Sequence, residues 1–168
     1  MTDTPRSQLR RFDYARTAPG GYRAMLGLES FLRDCGLEAG LVHLIKLRVS
    51  QINGCAFCID MHWKDLRAHG ETEQRLYSLD AWEESPFYSD RERAALGWAQ
   101  AVTRVAEGHV PDEVYDQVRA EFDEQGVANL TFAVATINAW NRLAIASRTP
   151  PGTYQPAAQA TKQPPEHT

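Results

Sequence analysis

The segment Asn53-Gly54-Cys55-Ala56-Phe57-Cys58-Ile59-Asp60-Met61-His62 decides the interpretation of this chain. It holds a Cys-x-x-Cys-x-x-x-His pattern that is predicted to open a helix. On an ideal helix, one arc of roughly 100° contains Cys55, Cys58, Ile59, His62, Leu66 and His69. Two sulfurs and an imidazole therefore share one face, which predicts thiol chemistry scaffolded by the remaining helices.

Thiol chemistry requires a lowered pKa, because the thiolate is the reactive form. The first turn of a helix has unpaired N–H groups and the positive end of the helix dipole, which favour a thiolate at Cys55 and less so at Cys58. His62 follows Cys58 by four residues, within reach of a hydrogen bond directly or through one water. Cys55 and Cys58 are also spaced so that a disulfide can close with modest rearrangement. The pair could therefore cycle between dithiol and disulfide.

Two other interpretations of the cysteine pair stay open. Cys55, Cys58 and His62 could be three zinc ligands, but a structural zinc site needs four. The residues that could supply the fourth ligand are His43, His69 and Cys35. Alternatively, both cysteines could be core residues without chemistry.

The composition is that of one globular domain. The chain has 168 residues, 43% hydrophobic and 24% charged, and its net charge of -4 gives no reason to expect a nucleic-acid partner. Residues 1–11 have no apolar core like that of a signal peptide. An odd count of three cysteines does not fit a secreted disulfide framework. We therefore expect a cytoplasmic location.

The longest apolar segment, residues 127–146, is about as long as a membrane span. It nevertheless carries four strongly polar residues, Asn129, Asn138, Asn141 and Arg142. These residues favour a buried helix over a membrane span, so we predict no membrane association. A helix that is apolar on nearly all sides belongs at the centre of the domain or in a subunit interface.

The chain as a whole is predicted to be all-α, because no segment alternates as a strand does. We divide it into an N-terminal arm (1–18), a helical domain (19–148) and a disordered, proline-rich tail (149–168). Residues 19–21, Pro-Gly-Gly, are predicted to form a turn before the first long helix. Arg48 falls within the apolar stripe of the helix before the cysteines, so it must reach solvent or meet a partner.

The residues around the motif resemble a known superfamily. Residues 47–62, Leu-Arg-Val-Ser-Gln-Ile-Asn-Gly-Cys-Ala-Phe-Cys-Ile-Asp-Met-His, are similar to the carboxymuconolactone decarboxylase and alkylhydroperoxidase D-like superfamily. They look like the branch that carries both cysteines and the histidine. Residues 92–96 and 138–143 also resemble that branch, and the resemblance covers about residues 19–148.

The resemblance implies an all-helical fold that assembles as homotrimers or homohexamers and has thiol peroxidase activity without a cofactor or metal. In such proteins the second cysteine, here Cys58, attacks a small hydroperoxide and becomes a sulfenic acid. Cys55 would resolve it as a disulfide, and a dithiol reductant protein or small thiol would restore the pair. His62 would belong to the proton relay that ionises Cys58, although the dipole argument above favours Cys55 as the more acidic thiol.

One position departs from the pattern of the superfamily, which usually has a Glu twelve residues before the first cysteine. That residue here is His43. Histidine titrates near neutrality, so His43 could replace the Glu in the relay. The departure could also indicate another role, either a redox-responsive or zinc-binding oligomer without peroxidase turnover or a decarboxylase-type member. Decarboxylase chemistry in the superfamily does not need a cysteine pair.

Overall fold

A computed structural model describes residues 10–156, and every regular element within that range is helical. This confirms the all-α prediction. The elements are α1 (Tyr14–Thr17), α2 (Pro19–Asp34), α3 (Ala39–Asn53), α4 (Ala56–Ala68), α5 (Glu73–Tyr77), a 3₁₀ helix (Leu79–Ala81), α6 (Asp90–Thr103), α7 (Val105–Gly108), α8 (Asp112–Glu121) and α9 (Glu124–Ser147).

Helix α3 lies at the centre of the bundle and packs against α4, α6 and α9. It is apolar on two sides, so it serves two clusters of buried side chains. Ile45 and Val49 join the larger cluster, which also contains Cys55 and Cys58. Leu44 and Leu47 join a smaller cluster. The cysteine pair is therefore built into the main core rather than displayed on the surface.

The connection between α3 and α4 fixes where the cysteines lie. Gly54 ends α3 with a φ of 67°, a left-handed conformation that glycine adopts without steric penalty. Cys55 is the N-cap of α4, and its sulfur accepts a hydrogen bond from the Cys58 backbone N–H. The helix thus begins one residue later than an opening at Cys55, and both sulfurs lie at its N-terminus.

Arg48 is buried and has the partners that its position in the sequence required. Its Nη1 donates to Asp80 Oδ1, and its Nη2 donates to Gln100 Oε1 at 3.0 Å. Asp80 belongs to the 3₁₀ helix and Gln100 to α6. The guanidinium therefore joins α3 to two other elements. These partners are needed because a buried charge without a partner destabilises the fold.

The turn predicted at residues 19–21 is wrong, because these residues form the first turn of α2. Proline at the first helical position loses no intrahelical hydrogen bond, and its fixed φ suits the helix. Within the predicted arm, residues 14–17 form α1, and the Tyr14 ring lies 6.2 Å from the rings of Tyr22 and Trp140. Residues 1–9 lie outside the described range.

The first residues of the predicted tail make specific contacts with α4, which a disordered segment would not make. Lys64 of α4 donates to the carbonyl oxygens of Gly152 (3.4 Å) and Tyr154 (3.1 Å), and the Gly152 N–H donates to Asp60 Oδ2 at 3.1 Å. The proline-rich composition did not indicate these contacts, because on the tail side they use backbone groups, which every residue type has. The rest of the predicted tail, residues 157–168, lies outside the described range.

Helix α9 runs through the core, as its apolar composition predicted. Its buried positions include Leu130, Val134 and Ile137, and also Asn141, whose side chain is fully buried. Within residues 10–156, no helix combines the length and apolar character that crossing a membrane requires. The preference for a buried helix over a membrane span is confirmed.

Candidate functional site

The two cysteines of the motif lie side by side as free thiols in the core. Each residue is only 1% exposed. The backbone N–H of Cys58 donates to the Cys55 sulfur at 3.4 Å, so Cys55 occupies the position where the N-terminus of α4 best stabilises negative charge. The arrangement predicted from the spacing, two adjacent sulfurs at the start of a helix, is present.

The pKa values of the two thiols move in opposite directions because they share one hydrogen bond. The Cys58 thiol donates to Cys55, which lowers the pKa of Cys55 to about 7, with help from backbone N–H groups and the Asn141 side chain. The same hydrogen bond and burial raise the pKa of Cys58. The pair therefore has one proton that is readily lost near neutral pH, and the charge is favoured on Cys55, as the dipole argument predicted.

Access to the pair comes from a cavity of about 400 Å³. Cys58 lines this cavity together with His62, His43 and Asp65, whereas Cys55 does not. The remaining wall is rich in aromatic and aliphatic side chains: Tyr14, Tyr22, Leu26, Phe57, Met61 and Trp140. The less acidic thiol is thus the one that a bound molecule would meet.

His43 and His62 meet across α3 and α4, as a site built from both residues requires. Their Nδ1 atoms are 3.4 Å apart. Asp65 joins them, with its Oδ2 3.8 Å from each of the two Nδ1 atoms. Burial is the main cause that lowers the pKa of both histidines, most strongly for His62, so both imidazoles are neutral at neutral pH.

The second ring nitrogen of His62 has no partner. The residue is 4% exposed, and its Nε2 is buried without a hydrogen bond. The direct hydrogen bond to Cys58 that the sequence spacing allowed is therefore not made. A buried polar atom without a partner destabilises the fold by about 1–3 kcal/mol, so such an atom commonly marks a place where a substrate, ion or water binds.

Tyr154 closes one side of the histidine cluster. Its hydroxyl donates to Asp65 Oδ1 at 2.6 Å. Burial and the nearby Asp65 carboxylate raise the pKa of Tyr154, so the hydroxyl keeps its proton and acts as a donor. The hydrogen bond fixes the carboxylate and leaves the other oxygen, Oδ2, directed at the histidines.

A paired lysine completes the charged lining of the cavity. Lys46 is 3% exposed, and its ammonium lies 2.5 Å from Glu29 Oε2. The other Glu29 oxygen accepts a hydrogen bond from Trp140 Nε1 at 2.9 Å. The three residues come from α2, α3 and α9, so the polar part of the cavity is held by three helices.

A chain of hydrogen-bonded amide and hydroxyl groups lies next to the cysteine pair. Asn141 Nδ2 donates to the Ser50 hydroxyl at 3.1 Å, and Asn141 Oδ1 accepts from Asn53 Nδ2 at 2.8 Å. Asn53 also donates to Asn138 Oδ1 at 3.0 Å. Two of the polar residues that argued against a membrane span, Asn138 and Asn141, therefore support the α3–α4 connection, and Asn141 also contacts the Cys55 thiol.

The sequence identified four residues of this site and missed its carboxylate. Cys55, Cys58, His62 and His43 are brought together, while Asp65 was not singled out. On the ideal helix Asp65 falls about 20° outside the arc that contains the cysteines and His62. Its spacing three residues after His62 was the available signal. Tyr154 gave no signal, since it follows a run of prolines.

The zinc site considered on the cysteines is not assembled. Within residues 10–156, the group of three or more metal-ligating side chains with all ligand atoms within 4.8 Å consists of His43, His62 and Asp65. It contains no cysteine. His62 Nδ1 lies 3.4 Å from His43 Nδ1 and belongs to that group instead.

Comparison with known proteins identifies the family. The model of the carboxymuconolactone decarboxylase family matches residues 19–101. The uncharacterized protein YdfG of Bacillus subtilis (strain 168) is 46% identical over 136 residues, which make up 81% of this chain and 92% of YdfG. The chain belongs to the carboxymuconolactone decarboxylase family.

Solved structures of similar proteins share its helical fold. A protein of unknown function from Agrobacterium tumefaciens, named as a candidate antioxidant defence protein AhpD, is 42% identical, with a TM-score of 0.84 over 87% of this chain and 100% of its own. An uncharacterized peroxidase-related protein from Ralstonia eutropha JMP134, with an alkylhydroperoxidase AhpD core, is 21% identical, with a TM-score of 0.73 over 83% of this chain and 74% of its own. The alkylhydroperoxidase D-like fold is thereby confirmed.

Proposed function

We propose that this member of the carboxymuconolactone decarboxylase family is a thiol-dependent peroxidase that works through Cys55 and Cys58. The observation that carries the proposal is a pair of adjacent free thiols at the N-terminus of α4, one of which lines a cavity. One sulfur is close to ionisation at neutral pH, and the other is placed to meet a substrate. The proposed substrate is a small hydroperoxide, and the apolar cavity wall suits an organic substituent on it.

In the first step a Cys58 thiolate attacks the terminal oxygen of the hydroperoxide. The O–O bond breaks, the sulfur becomes a sulfenic acid, and the alkoxide leaves and takes up a proton to give the alcohol. The resting anion is favoured on Cys55, so transfer of the Cys58 proton to Cys55 is needed before attack. The hydrogen bond between the two sulfurs provides the path for that proton.

In the second step a Cys55 thiolate attacks the Cys58 sulfur. The S–O bond breaks, water is released after protonation of hydroxide, and a Cys55–Cys58 disulfide forms. A dithiol reductant protein or a small thiol then reduces the disulfide and is itself oxidised. The low pKa of Cys55 suits this role, because a thiol that is largely ionised near neutral pH is an effective attacking group.

His62 is proposed to move protons between the thiol pair and the substrate. Its neutral imidazole can accept a proton, and its unpartnered Nε2 is free to bind the substrate or a water. A proton taken up by His62 would be shared with His43 and stabilised by Asp65. His43 and Asp65 would together replace the Glu that the superfamily usually carries at position 43.

Peroxide consumption by single variants tests the assignment. With cumene hydroperoxide and a dithiol reductant, we expect Cys58→Ser to reduce the rate to that of the uncatalysed reaction. Cys55→Ser should perform one turnover and leave a Cys58 sulfenic acid that a dimedone-type reagent traps. Cys35→Ser is the matched control and should retain the wild-type rate. Wild-type turnover by Cys58→Ser would overturn the proposal.

Two alternatives give different results in the same assay. A decarboxylase-type enzyme should convert its lactone substrate at an unchanged rate after removal of both Cys55 and Cys58. A redox-responsive oligomer without peroxidase turnover should form the Cys55–Cys58 disulfide but fail to consume excess peroxide when the reductant is present. A zinc-binding oligomer should retain near-stoichiometric zinc that is lost when the cysteines are replaced.

A further inference from the structure

Three potential metal ligands converge on one point in the wall of the cavity. His43 Nδ1, His62 Nδ1 and Asp65 Oδ2 form a triangle with sides of 3.4, 3.8 and 3.8 Å. They come from two helices, α3 and α4, which pack closely on one another. Their side chains are 25%, 5% and 12% exposed, so the cluster is largely shielded from bulk water yet open to the cavity.

The size of this triangle matches a transition-metal ion. A point equidistant from its three corners lies about 2.1 Å from each atom, within the Zn–N and Zn–O bond ranges of about 2.0–2.2 Å. An ion could therefore contact all three atoms without movement of either helix. Two imidazole nitrogens and one carboxylate oxygen are a donor set used by zinc hydrolases and by non-haem iron enzymes, with further positions left for water or substrate.

The protonation states also suit an ion. Metal ligation needs neutral imidazoles and an ionised carboxylate. Burial keeps His43 and His62 neutral at neutral pH by lowering the pKa of each. The positive charge of Lys46, which would repel an ion, is balanced by Glu29 Oε2 at 2.5 Å. The cluster thus presents one negative charge to a divalent cation.

A hydrogen bond outside the triangle orients the carboxylate. Tyr154 donates to Asp65 Oδ1 and leaves Oδ2 directed at the two histidines. Partners of this kind commonly hold metal-ligating carboxylates in place. His69 provides a contrast, because its ring lies 5.4 Å from that of His43 while its Nδ1 lies 2.7 Å from the Asp65 backbone oxygen. It neighbours the cluster without contributing a ligand atom.

We propose that His43, His62 and Asp65 bind one divalent first-row transition-metal ion, with an open coordination position facing the cavity. The ligand set contains no cysteine, so ion binding does not require the proposed peroxidase activity, although it uses the three residues proposed for proton transfer there. It is also incompatible with proton transfer through His62 Nδ1 while the ion is bound. An ion at this position would therefore hold the histidine pair in a form that cannot serve the thiols.

Titration of the reduced, chelator-treated full-length protein with Zn²⁺ tests the proposal. Calorimetry and metal analysis after dialysis should give one ion per chain. Replacing a ligand should weaken binding by more than about 100-fold, beyond the effect usual for an outer partner, so we expect this loss for Asp65→Asn and His43→Ala. Tyr154→Phe should weaken binding by about 10-fold. His69→Gln is the matched control and should bind as the wild type does.

Binding to the thiols must be distinguished from binding to the histidines. The Cys55→Ser/Cys58→Ser double variant should retain one Zn²⁺ per chain. Its Co²⁺ complex and that of the wild type should show visible d–d absorption without the intense near-ultraviolet band of a thiolate ligand. Circular dichroism checks that each variant is folded. Absence of stoichiometric binding in the folded wild type, or binding lost with the cysteines but kept in Asp65→Asn, would overturn the proposal.

Discussion

The two sulfurs at the start of α4 have different surroundings although they are three residues apart. Cys55 caps the helix and accepts hydrogen bonds, whereas Cys58 donates its thiol proton and faces the cavity. Acidity and access are thus divided between two residues. A pair that shares one proton titrates as a unit, so loss of one proton leaves a single anion, which is favoured on Cys55.

Ionisation of Cys55 should follow the lowered pKa of this thiol. Because Cys55 is buried and does not line the cavity, its titration is measured by the ultraviolet absorbance of the thiolate in a Cys35→Ser background, and we expect a midpoint near 7. In Cys58→Ala the main hydrogen-bond donor is lost, so the midpoint should move upward. The absorbance at each pH gives the ionised fraction. A midpoint that does not change in Cys58→Ala would show that the shared hydrogen bond does not control the acidity.

The buried histidines should make the fold sensitive to mild acid. His62 and His43 have lowered pKa values in the folded chain, so the unfolded chain, with a histidine pKa of about 6.5, binds more protons in the interval below that value. Stability is therefore complete above pH about 6.5 and falls as the pH decreases. Urea unfolding between pH 5 and 8 should show this slope. His62→Gln should have a shallower slope, and an equal slope would contradict the interpretation.

The residues of the site differ in how readily sequence predicts them. Cys55, Cys58 and His62 follow from spacing on one helix, because three- and four-residue intervals place side chains on one face. His43 was found through the pattern of the superfamily, since its distance from the cysteines along the chain says nothing about contact. Asp65 and Tyr154 depend on how α3, α4 and the following segment pack, which no local pattern reports.

At the scale of elements, the connection between α3 and α4 positions the site. Gly54 allows α3 to stop in a left-handed conformation, and Cys55 begins α4 immediately afterwards. The Cys55 N–H donates to the Ser50 carbonyl oxygen at 3.0 Å, which closes the end of α3. The end of α3 is thereby joined to the start of α4, and the His43–His62 contact links the same two helices.

Replacement of Gly54 measures how much the connection contributes. A methyl group added at Gly54 would meet no other atom within 4 Å, so the left-handed φ alone should make Gly54→Ala destabilising by roughly 1–2 kcal/mol. Gly40→Ala, in α3 with equally open space, is the control and should stabilise the fold by about 0.4–1 kcal/mol. Urea denaturation measures both. Equal effects of the two variants would show that the conformation of Gly54 is not required.

Glycines after α3 and α4 are local signals for the ends of these helices. Gly54 and Gly70 both have a positive φ, and they follow helices that end at Asn53 and Ala68. The segment 19–21 was misassigned because Pro-Gly-Gly resembles a turn, although proline also suits the first position of a helix. The described part of the tail is ordered by contacts with α4 that its composition does not indicate.

At the scale of the whole molecule, α2 and α9 place a small apolar patch on the surface. It consists of Phe31 and Phe132, which are 43% and 51% exposed. The Phe31 and Phe132 rings pack edge to face, 5.6 Å apart. Clustered exposed apolar side chains commonly mark an interaction surface. We propose that this patch contributes to the homotrimer or homohexamer that the resemblance to the superfamily implies.

A charge placed in the patch should disrupt the oligomer. Phe132→Asp should shift the molar mass measured by light scattering towards that of the monomer, 18.9 kDa, at micromolar concentration, because an ionised carboxylate is costly to bury. Tyr77→Asp is the control, since Tyr77 is 72% exposed on α5 and should leave the assembly unchanged. A wild-type protein that is already monomeric would contradict the proposal.

At this scale the sequence predicts the helical fold, but it does not predict the features that depend on how the helices pack. Composition and spacing predict an all-helical fold, a buried apolar α9 and a partner for Arg48. The described residues show all three. Packing between helices decides the cavity, the histidine cluster and the exposed patch. These features involve residues far apart in the sequence, such as Glu29 with Trp140 and Asp65 with Tyr154.

Counting thiols before and after peroxide tests the central claim most directly. The native protein is treated with one equivalent of cumene hydroperoxide, denatured, titrated for free thiols and mapped by mass spectrometry. We predict three thiols before treatment and one afterwards, with a Cys55–Cys58 disulfide, Cys35 still reduced, and all three thiols restored by a dithiol. Three thiols after treatment, or oxidation confined to Cys35, would contradict the account.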